Sequence, residues 1–340
     1  MAAGRSPSAY AANGERQTAN DFAPAWWAHG PHAQTIWGRL TRPRHAVRLR
    51  REVLCTPDDD DLIVDHLDGT RLRFVLLHGL EGSSNSVYIQ GLLRIIAGQG
   101  YAAAAMNFRS CARDPHQLSY MLMNRRPRLY HSGETEDFDF FVRSLPTDLP
   151  IVAIGASLGG NVLLKWLGEH PLQQIVKAAA TMSVPYDLAA GARYLERGAG
   201  PLYVAQFFRT MREKTAWIVD HFGIKLDVPG AMRAKTFHEF DNASTAPLFG
   251  FRDAADYYDR ASSLPYLHAI TTPALCINAE DDPFLPIEAV RRAQAEASDA
   301  VEFVLPRFGG HTGFIGGSLP WRAVYWAEEL MVRWVAEKAL

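Results

Sequence analysis

The chain has 340 residues, a length that suits either two domains or one large α/β domain with insertions. Hydrophobic residues make up 48% and charged residues 21%, a globular composition that excludes a disordered, collagen-like or coiled-coil protein. The formal net charge of −2 lacks the basic excess that proteins binding nucleic acid usually carry. Cys55, Cys111 and Cys276 are too few and too far apart for a disulfide framework or a CxxC zinc site.

The N-terminal part of the chain divides into two segments. Residues 1–21 are polar and lack the apolar run of a signal peptide, so they are predicted to form a flexible leader. Residues 22–70 contain a segment with three Trp and then the first strands, and we expect both to pack on the core. The acidic run 58–61 is interpreted as a solvated turn. No apolar run of 18 residues occurs, which predicts a cytoplasmic protein.

From residue 71 onward, apolar strand patterns alternate with helix patterns, as in a parallel sheet covered by helices. The predicted strands are 73–77, 101–106, 151–154, 175–182, 273–278 and 301–305. The predicted helices are 88–97, 134–145, 158–169, 287–296 and 321–338. Residues 186–263 are aromatic and helix-like, and they interrupt this alternation. We therefore predict an α/β core built from 71–185 and 264–340, with a helical cap inserted at 186–263.

A candidate nucleophile follows the predicted strand 151–154. Gly155-Ala156-Ser157-Leu158-Gly159 matches the G-x-S-x-G pattern, in which a sharp strand-to-helix turn exposes a serine. The pattern is short enough to occur by chance, and its alternative interpretation is a glycine-rich turn with a capping serine. Its position between a strand and a helix favours the nucleophile.

A serine hydroxyl needs a base, and the base needs an acceptor that orients it. Asp282 follows the predicted strand 273–278, and His311 follows the strand 301–305. Taken singly, these residues are readily explained as a turn acid and a surface histidine. Together with Ser157 they stand in the chain order of an α/β-hydrolase triad, each after a strand. Asp282 precedes Pro283 and is preferred to Asp281, which is interpreted as a neighbour that stabilises the turn.

The oxyanion formed during acyl transfer requires backbone N–H donors, usually one after the nucleophile and one after an early strand. Leu158 follows Ser157, and Leu80 lies in the loop after the strand 73–77, so we assign these two amides. His78 in the same loop is interpreted as an anchor of the loop and not as a second base.

Several further residues are interpreted as structural. Arg109 is expected to form a salt bridge within the fold, and Ser132 is expected to cap the helix that starts near Glu134. His131 is assigned a structural role, and Cys111 is rejected as a rival nucleophile because no base is positioned for it.

Six segments resemble the YheT-type α/β-hydrolases: Gly30–Thr35, His78–Asn85, Asn107–Arg109, Tyr130–Thr135, Gly155–Asn161 and Asp281–Phe284. The first is similar to that family's Asn-Pro-His-Leu-Gln-Thr segment, with Gly30 in place of Asn. The resemblance covers about residues 22–335. It implies a carboxylic-ester hydrolase related to eukaryotic phospholipid lipases and to yeast acyltransferases that make medium-chain ethyl esters.

The sequence therefore predicts a serine esterase that uses Ser157, His311 and Asp282 on short- to medium-chain acyl esters or lipids, without a metal or organic cofactor. Two alternatives stay open. The same triad could transfer the acyl group to an alcohol, or the fold could bind a ligand or partner without catalysis. We expect a small-molecule ester or lipid substrate and no nucleic acid. Transient contact with a membrane surface receives no electrostatic support from the near-neutral charge.

Overall fold

The computed structural model describes residues 22–42 and 47–340, so the predicted leader 1–21 lies outside the described residues. A central sheet of eight strands has the order β1-β2-β4-β3-β5-β6-β7-β8. Its strands are β1 (Arg50–Cys55), β2 (Asp61–Leu67), β3 (Arg73–Leu77), β4 (Ala102–Asn107), β5 (Ile151–Ala156), β6 (Val176–Met182), β7 (Ala274–Ile277) and β8 (Val301–Val304). β2 pairs antiparallel with both β1 and β4, and all other pairs are parallel.

Helices cover both faces of this sheet, as predicted. The helices outside the region between β6 and β7 are α1 (Pro31–Thr41), α2 (Val87–Gly98), α3 (Thr135–Ser144), α4 (Leu158–Glu169), α11 (Ile287–Glu296) and α12 (Trp326–Ala339). α2 and α12 contribute to the apolar core on one face, and α3, α4 and α11 contribute to the core on the other. Because both faces are buried, β5 has no exposed residue and appears in the sequence as a continuous apolar run.

The chain leaves the sheet after β6 and returns at β7 through a segment that is helical. Its helices are α5 (Leu188–Tyr194), α6 (Gly200–Phe222), α7 (Val228–Arg233), α8 (Phe237–Ala243), α9 (Thr245–Leu248), α10 (Ala254–Ala261) and a 3₁₀ helix at Leu264–Ala269. We call residues 186–263 the helical insertion. It contains two small apolar clusters of its own, one of which extends to Phe284 and Leu285 after β7.

The predicted helix 321–338 is wrong at its N-terminal end. Pro320–Arg322 form a short 3₁₀ turn, and α12 begins only at Trp326. The intervening residues Val324–Tyr325 (β10) pair antiparallel with Ile315–Gly316 (β9). The proline and the apolar residues after it look like a helix start, but pairing with a strand nine residues earlier holds this backbone extended.

The interpretation of the acidic run 58–61 as a solvated turn is correct for Asp58 and Asp59, which are exposed in a turn, and wrong for Asp60. The Asp60 side chain is completely buried, and together with Asp58 and Asp137 it binds the guanidinium of Arg109. The expected salt bridge of Arg109 is thus confirmed, with three carboxylates as its partners. A fully buried arginine requires such pairing, because an unpaired charge in the interior costs several kcal/mol, on the order of the whole stability margin.

Among the described residues, no helix is both long enough and apolar enough to cross a membrane.

Candidate active site

Ser157 occupies the turn between β5 and α4. Its backbone has φ 52° and ψ −122°, a strained conformation for a residue with a side chain. Gly159 makes the turn sterically possible, because a Cβ atom there would lie 2.5 Å from the carbonyl oxygen of His78. The Ser157 amide donates to the Met182 carbonyl oxygen at 2.9 Å, which ties the turn to the end of β6. The side chain is therefore held at the carboxyl edge of the sheet.

The structure brings Ser157, His311 and Asp282 into one hydrogen-bonded series. His311 Nε2 lies 3.0 Å from Ser157 Oγ, and His311 Nδ1 lies 2.9 Å from Asp282 Oδ2. The Asp282 carboxylate is buried, and its Oδ1 also accepts a hydrogen bond from the Phe284 amide at 2.8 Å. A carboxylate at Nδ1 favours the tautomer with its proton on that nitrogen, which leaves Nε2 free to accept the serine proton.

Phe284 and Asp281 are neighbours of this hydrogen-bonded series, and they have different contacts. The ring of Phe284 stacks on the His311 imidazole with 4.2 Å between centroids, a role that the sequence did not reveal. Asp281 is not the partner of His311 Nδ1, and its Oδ1 accepts from the Gly310 amide at 2.9 Å, so it contacts the loop that carries His311. Burial, and to a smaller degree the nearby Asp282 charge, raise the pKa of Asp281.

Leu80 and Leu158, whose amides are the predicted oxyanion donors, line the same cavity as Ser157. Within residues 22–42 and 47–340, neither amide donates to another protein group. The amides on either side of Leu80 are engaged, because Gly79 donates to the Tyr88 hydroxyl and Glu81 donates to the Tyr130 hydroxyl, each at 2.7 Å. The Leu158 amide lies at the N-terminus of α4, where the helix dipole favours a negative charge.

His78 anchors the loop that carries Leu80. Its Nε2 accepts from the Phe108 amide at 3.1 Å, and its Nδ1 donates to the Gly79 carbonyl oxygen at 2.8 Å. Burial lowers the pKa of His78 to about 4, so the ring is neutral near pH 7. Both ring nitrogens are used in backbone contacts, which confirms the interpretation of His78 as an anchor.

A buried ion pair links the helical insertion to this loop. Lys214 Nζ on α6 lies 2.7 Å from Glu81 Oε1, and Glu81 directly follows Leu80. Burial opposes ionisation of Glu81, but the charge and hydrogen bond of Lys214 outweigh it, so the pKa of Glu81 lies below its ordinary value. Sequence reasoning missed this pair, because an isolated lysine on a helix gives no signal of where it is buried.

A cavity opens above Ser157 and His311, and more than half of its lining residues come from the helical insertion. The aromatic side chains Phe207, Phe237 and Phe240 give it an apolar wall. Asp241 is one of several polar residues in the lining, and its carboxyl group accepts hydrogen bonds from Thr245 Oγ1 at 2.6 Å and from the Tyr258 hydroxyl at 2.7 Å. Burial raises the pKa of Asp241 to about 6.

The remaining candidates lie outside the catalytic series. Cys111 is buried with its pKa raised to about 11 by that burial, which disfavours a thiolate. His131 is enclosed by the rings of Phe249, Phe251 and Tyr257, in keeping with a structural role. The prediction that Ser132 caps α3 was wrong, because Glu134 occupies the N-cap position. The Ser132 amide instead donates to the Tyr257 hydroxyl.

No group of three or more His, Cys, Asp or Glu side chains in the described part of the chain is arranged to hold a metal ion.

Comparisons with known proteins agree with this architecture. A family model described as "alpha/beta hydrolase fold" matches residues 73–318. The chain is 32% identical over 331 residues to the putative esterase YheT of Escherichia coli, covering 94% of each chain. It is 31% identical over 318 residues to phospholipase ABHD3 of Bos taurus, covering 89% of this chain and 75% of the relative.

Solved structures support the same fold. An esterase from Exiguobacterium antarcticum superposes with a TM-score of 0.54 at 16% identity, covering 84% of this chain and 100% of the esterase. At this identity, the likeness speaks for the fold alone. The family match and the full-length similarity to YheT together show that the chain is an α/β-hydrolase and belongs to the YheT-type group of that family.

Proposed function

We propose that the chain is a serine hydrolase of carboxylic esters, with Ser157 as nucleophile, His311 as general base and then acid, and Asp282 as the group that orients the imidazole. The observation that carries this proposal is the hydrogen-bonded series from Ser157 Oγ through both His311 nitrogens to the buried Asp282 carboxylate. The esterase and phospholipase names of the two relatives point to the same bond type.

The reaction follows from the positions of these groups. As Ser157 Oγ attacks the ester carbonyl carbon, its proton passes to His311 Nε2, and the Asp282 carboxylate stabilises the resulting imidazolium. The developing oxyanion accepts hydrogen bonds from the Leu80 and Leu158 amides. The imidazolium then protonates the leaving alcohol. Water then attacks the acyl-enzyme as its proton passes to His311 Nε2, and the imidazolium gives that proton to Ser157 Oγ as the carboxylic acid is released.

The substrates we propose are short- to medium-chain acyl esters or lipids. An apolar cavity lined by Phe207, Phe237 and Phe240 favours an acyl chain, because each buried methylene contributes about 0.8 kcal/mol of transfer free energy. The helical insertion supplies these residues, so we propose that it selects the acyl group.

A series of p-nitrophenyl esters of increasing chain length tests the proposal in wild type, Ser157→Ala and Cys111→Ala. We expect Ser157→Ala to lose about 10³-fold or more in kcat, because the residues of a triad act as a unit. In the wild-type protein, we expect a fluorophosphonate probe to label Ser157 and no other residue. Cys111→Ala removes the rival nucleophile and should keep most of the activity. Hydrolysis that persists in Ser157→Ala would overturn the mechanism. Ethyl esters as the main products in added ethanol would favour the acyltransferase alternative.

A further inference from the structure

The segment Gly30–Thr35, which precedes and opens α1, has no role in the chemistry described above. It nevertheless lies against the loop 309–314, which carries His311 and which we call the histidine loop. Gly30 adopts φ 87°, a conformation that favours glycine, and it directs the chain into the helix. The next residues, Pro31 to Thr35, form the first turns of α1 and supply the contacts with the histidine loop.

Thr35 contacts the backbone of the catalytic histidine itself. Its Oγ1 accepts a hydrogen bond from the His311 amide at 2.9 Å and donates one to the Pro31 carbonyl oxygen at 2.7 Å. The hydroxyl proton of Thr35 is thus used in the bond to the Pro31 carbonyl oxygen, and a lone pair of the same oxygen accepts from the His311 amide. This arrangement fixes the position of the His311 backbone, from which its imidazole extends.

Gln34 holds the far end of the same loop. Its fully buried amide accepts from the Ile315 nitrogen at 2.6 Å and donates to the Ile315 and Ala28 carbonyl oxygens at 3.1 and 2.9 Å. The backbones of Gly313 and Gln34 also approach each other closely, so a Cβ atom on Gly313 would lie 2.4 Å from the Gln34 carbonyl oxygen. The histidine loop therefore rests on α1 from Gly310 to Ile315.

The histidine loop has a backbone that needs such outside support. Thr312 and Phe314 have φ values of 57° and 45°, and Gly309 and Gly310 have φ values of 152° and 58°. Left-handed conformations of residues with side chains cost about 1–3 kcal/mol each and persist only when their surroundings hold them in place. Besides α1, that support includes Ser183, which accepts from the Thr312 amide, and Arg42, which donates to the Thr312 carbonyl oxygen.

We infer that Thr35 and Gln34 are positioning residues for the proposed reaction, acting through the backbone of the histidine loop to keep His311 Nε2 in line with Ser157 Oγ. This inference rests on the proposed function, because it requires His311 to be the base. Thr35 is not among the residues that line the cavity. Its loss should therefore lower kcat and leave KM nearly unchanged. A displacement of about 1 Å in a catalytic group can cost about 100-fold in rate.

The decisive variant is Thr35→Val, which keeps the shape of the side chain and removes both hydrogen bonds. We expect kcat for a p-nitrophenyl ester to fall by about 10- to 100-fold, with KM within about twofold of wild type. Thr35→Ser, which keeps the hydroxyl, should restore most of the rate. In the NMR spectrum, the low-field proton shared by His311 Nδ1 and Asp282 should shift or broaden in Thr35→Val and return in Thr35→Ser.

Thr272→Val is the matched control. It removes a buried threonine hydroxyl that accepts from Gln173 Nε2 at 2.7 Å, at the amino end of β7 and so at the opposite edge of the sheet. It should lower the melting temperature without changing kcat. If Thr35→Val fails to melt cooperatively, Thr35→Ala replaces it, since it also removes the acceptor without adding an apolar methyl group.

Two results would overturn the inference: a kcat for the folded Thr35 variant within about twofold of wild type, or equal losses in Thr35→Val and Thr272→Val. Ser157→Ala, measured beside them, separates this failure from a failure of the proposed function. An inactive Ser157→Ala together with a fully active Thr35→Val rejects the positioning role alone. Continued hydrolysis by Ser157→Ala rejects the proposed function itself.

Discussion

The carboxyl edge of the sheet and the helical insertion meet at the cavity but are built differently. At the sheet edge, Ser157, Asp282 and His311 follow parallel strands, and backbone hydrogen bonds hold their loops. The insertion contributes mainly apolar side chains to the cavity wall. The proposed reacting groups are thus held by the backbone of the core, whereas the shape of the cavity depends mainly on side chains of the helical insertion.

The buried carboxyl groups of the two regions also have different partners. Asp282 at the sheet edge contacts an imidazole nitrogen and accepts a hydrogen bond from a backbone amide. Asp241 in the insertion has two hydroxyl partners among the described residues, and burial raises its pKa to about 6. Lys214 and Glu81 form the buried ion pair that joins the regions.

The largest expected effect belongs to the sheet edge. Asp282→Asn should lower kcat by about 10⁴-fold, because an amide at His311 Nδ1 favours the wrong imidazole tautomer. The matched variant Asp281→Asn keeps an oxygen that can accept from the Gly310 amide, so we expect a loss below about 10-fold. Steady-state kinetics of both variants on one ester measure the contrast. Equal losses would contradict the assignment of Asp282.

The next effect tests the junction of the two regions. Lys214→Met leaves the Glu81 carboxylate buried without its cation, so we expect a loss of about 3–5 kcal/mol in the free energy of unfolding. Because Glu81 follows Leu80, kcat should fall as well. Denaturant unfolding and ester kinetics measure the two effects.

The double variant Lys214→Met with Glu81→Gln is the control for this pair. It removes both charges and should recover part of the lost stability, since the uncompensated charge is the main cost. A Lys214→Met variant as stable as wild type would contradict a stabilising role for this contact between the helical insertion and the loop that carries Leu80.

The smallest effect tests the insertion alone. Because burial raises the folded-state pKa of Asp241 from 3.8 to about 6, its contribution to stability is fully present below about pH 4 and is lost as the pH rises through about 6. The loss should amount to about 3 kcal/mol at most. Asp241→Asn does not titrate, so the difference between its unfolding free energy and that of wild type should change over this interval. A constant difference from pH 4 to 8 would contradict the raised pKa.

Much of the core was predictable because its signals are local. The strand 73–77 and the helices 158–169 and 287–296 have the predicted bounds, since apolar runs and periodic patterns directly reflect burial on the sheet. The predictions failed where distant partners decide the outcome. Asp60 is buried because Arg109 lies above it, and residues 324–325 are extended because they pair with β9.

The sequence by itself determined the α/β-hydrolase architecture and the chain order of the proposed nucleophile, acid and base, because each motif follows a recognisable strand. Only the tertiary structure decided what holds these groups. Thr35 contacts the backbone of His311 across 276 residues, and Lys214 contacts Glu81 across 133 residues. Such contacts leave no periodicity in the sequence, because they arise from the packing of separate elements and not from the local preferences of either segment.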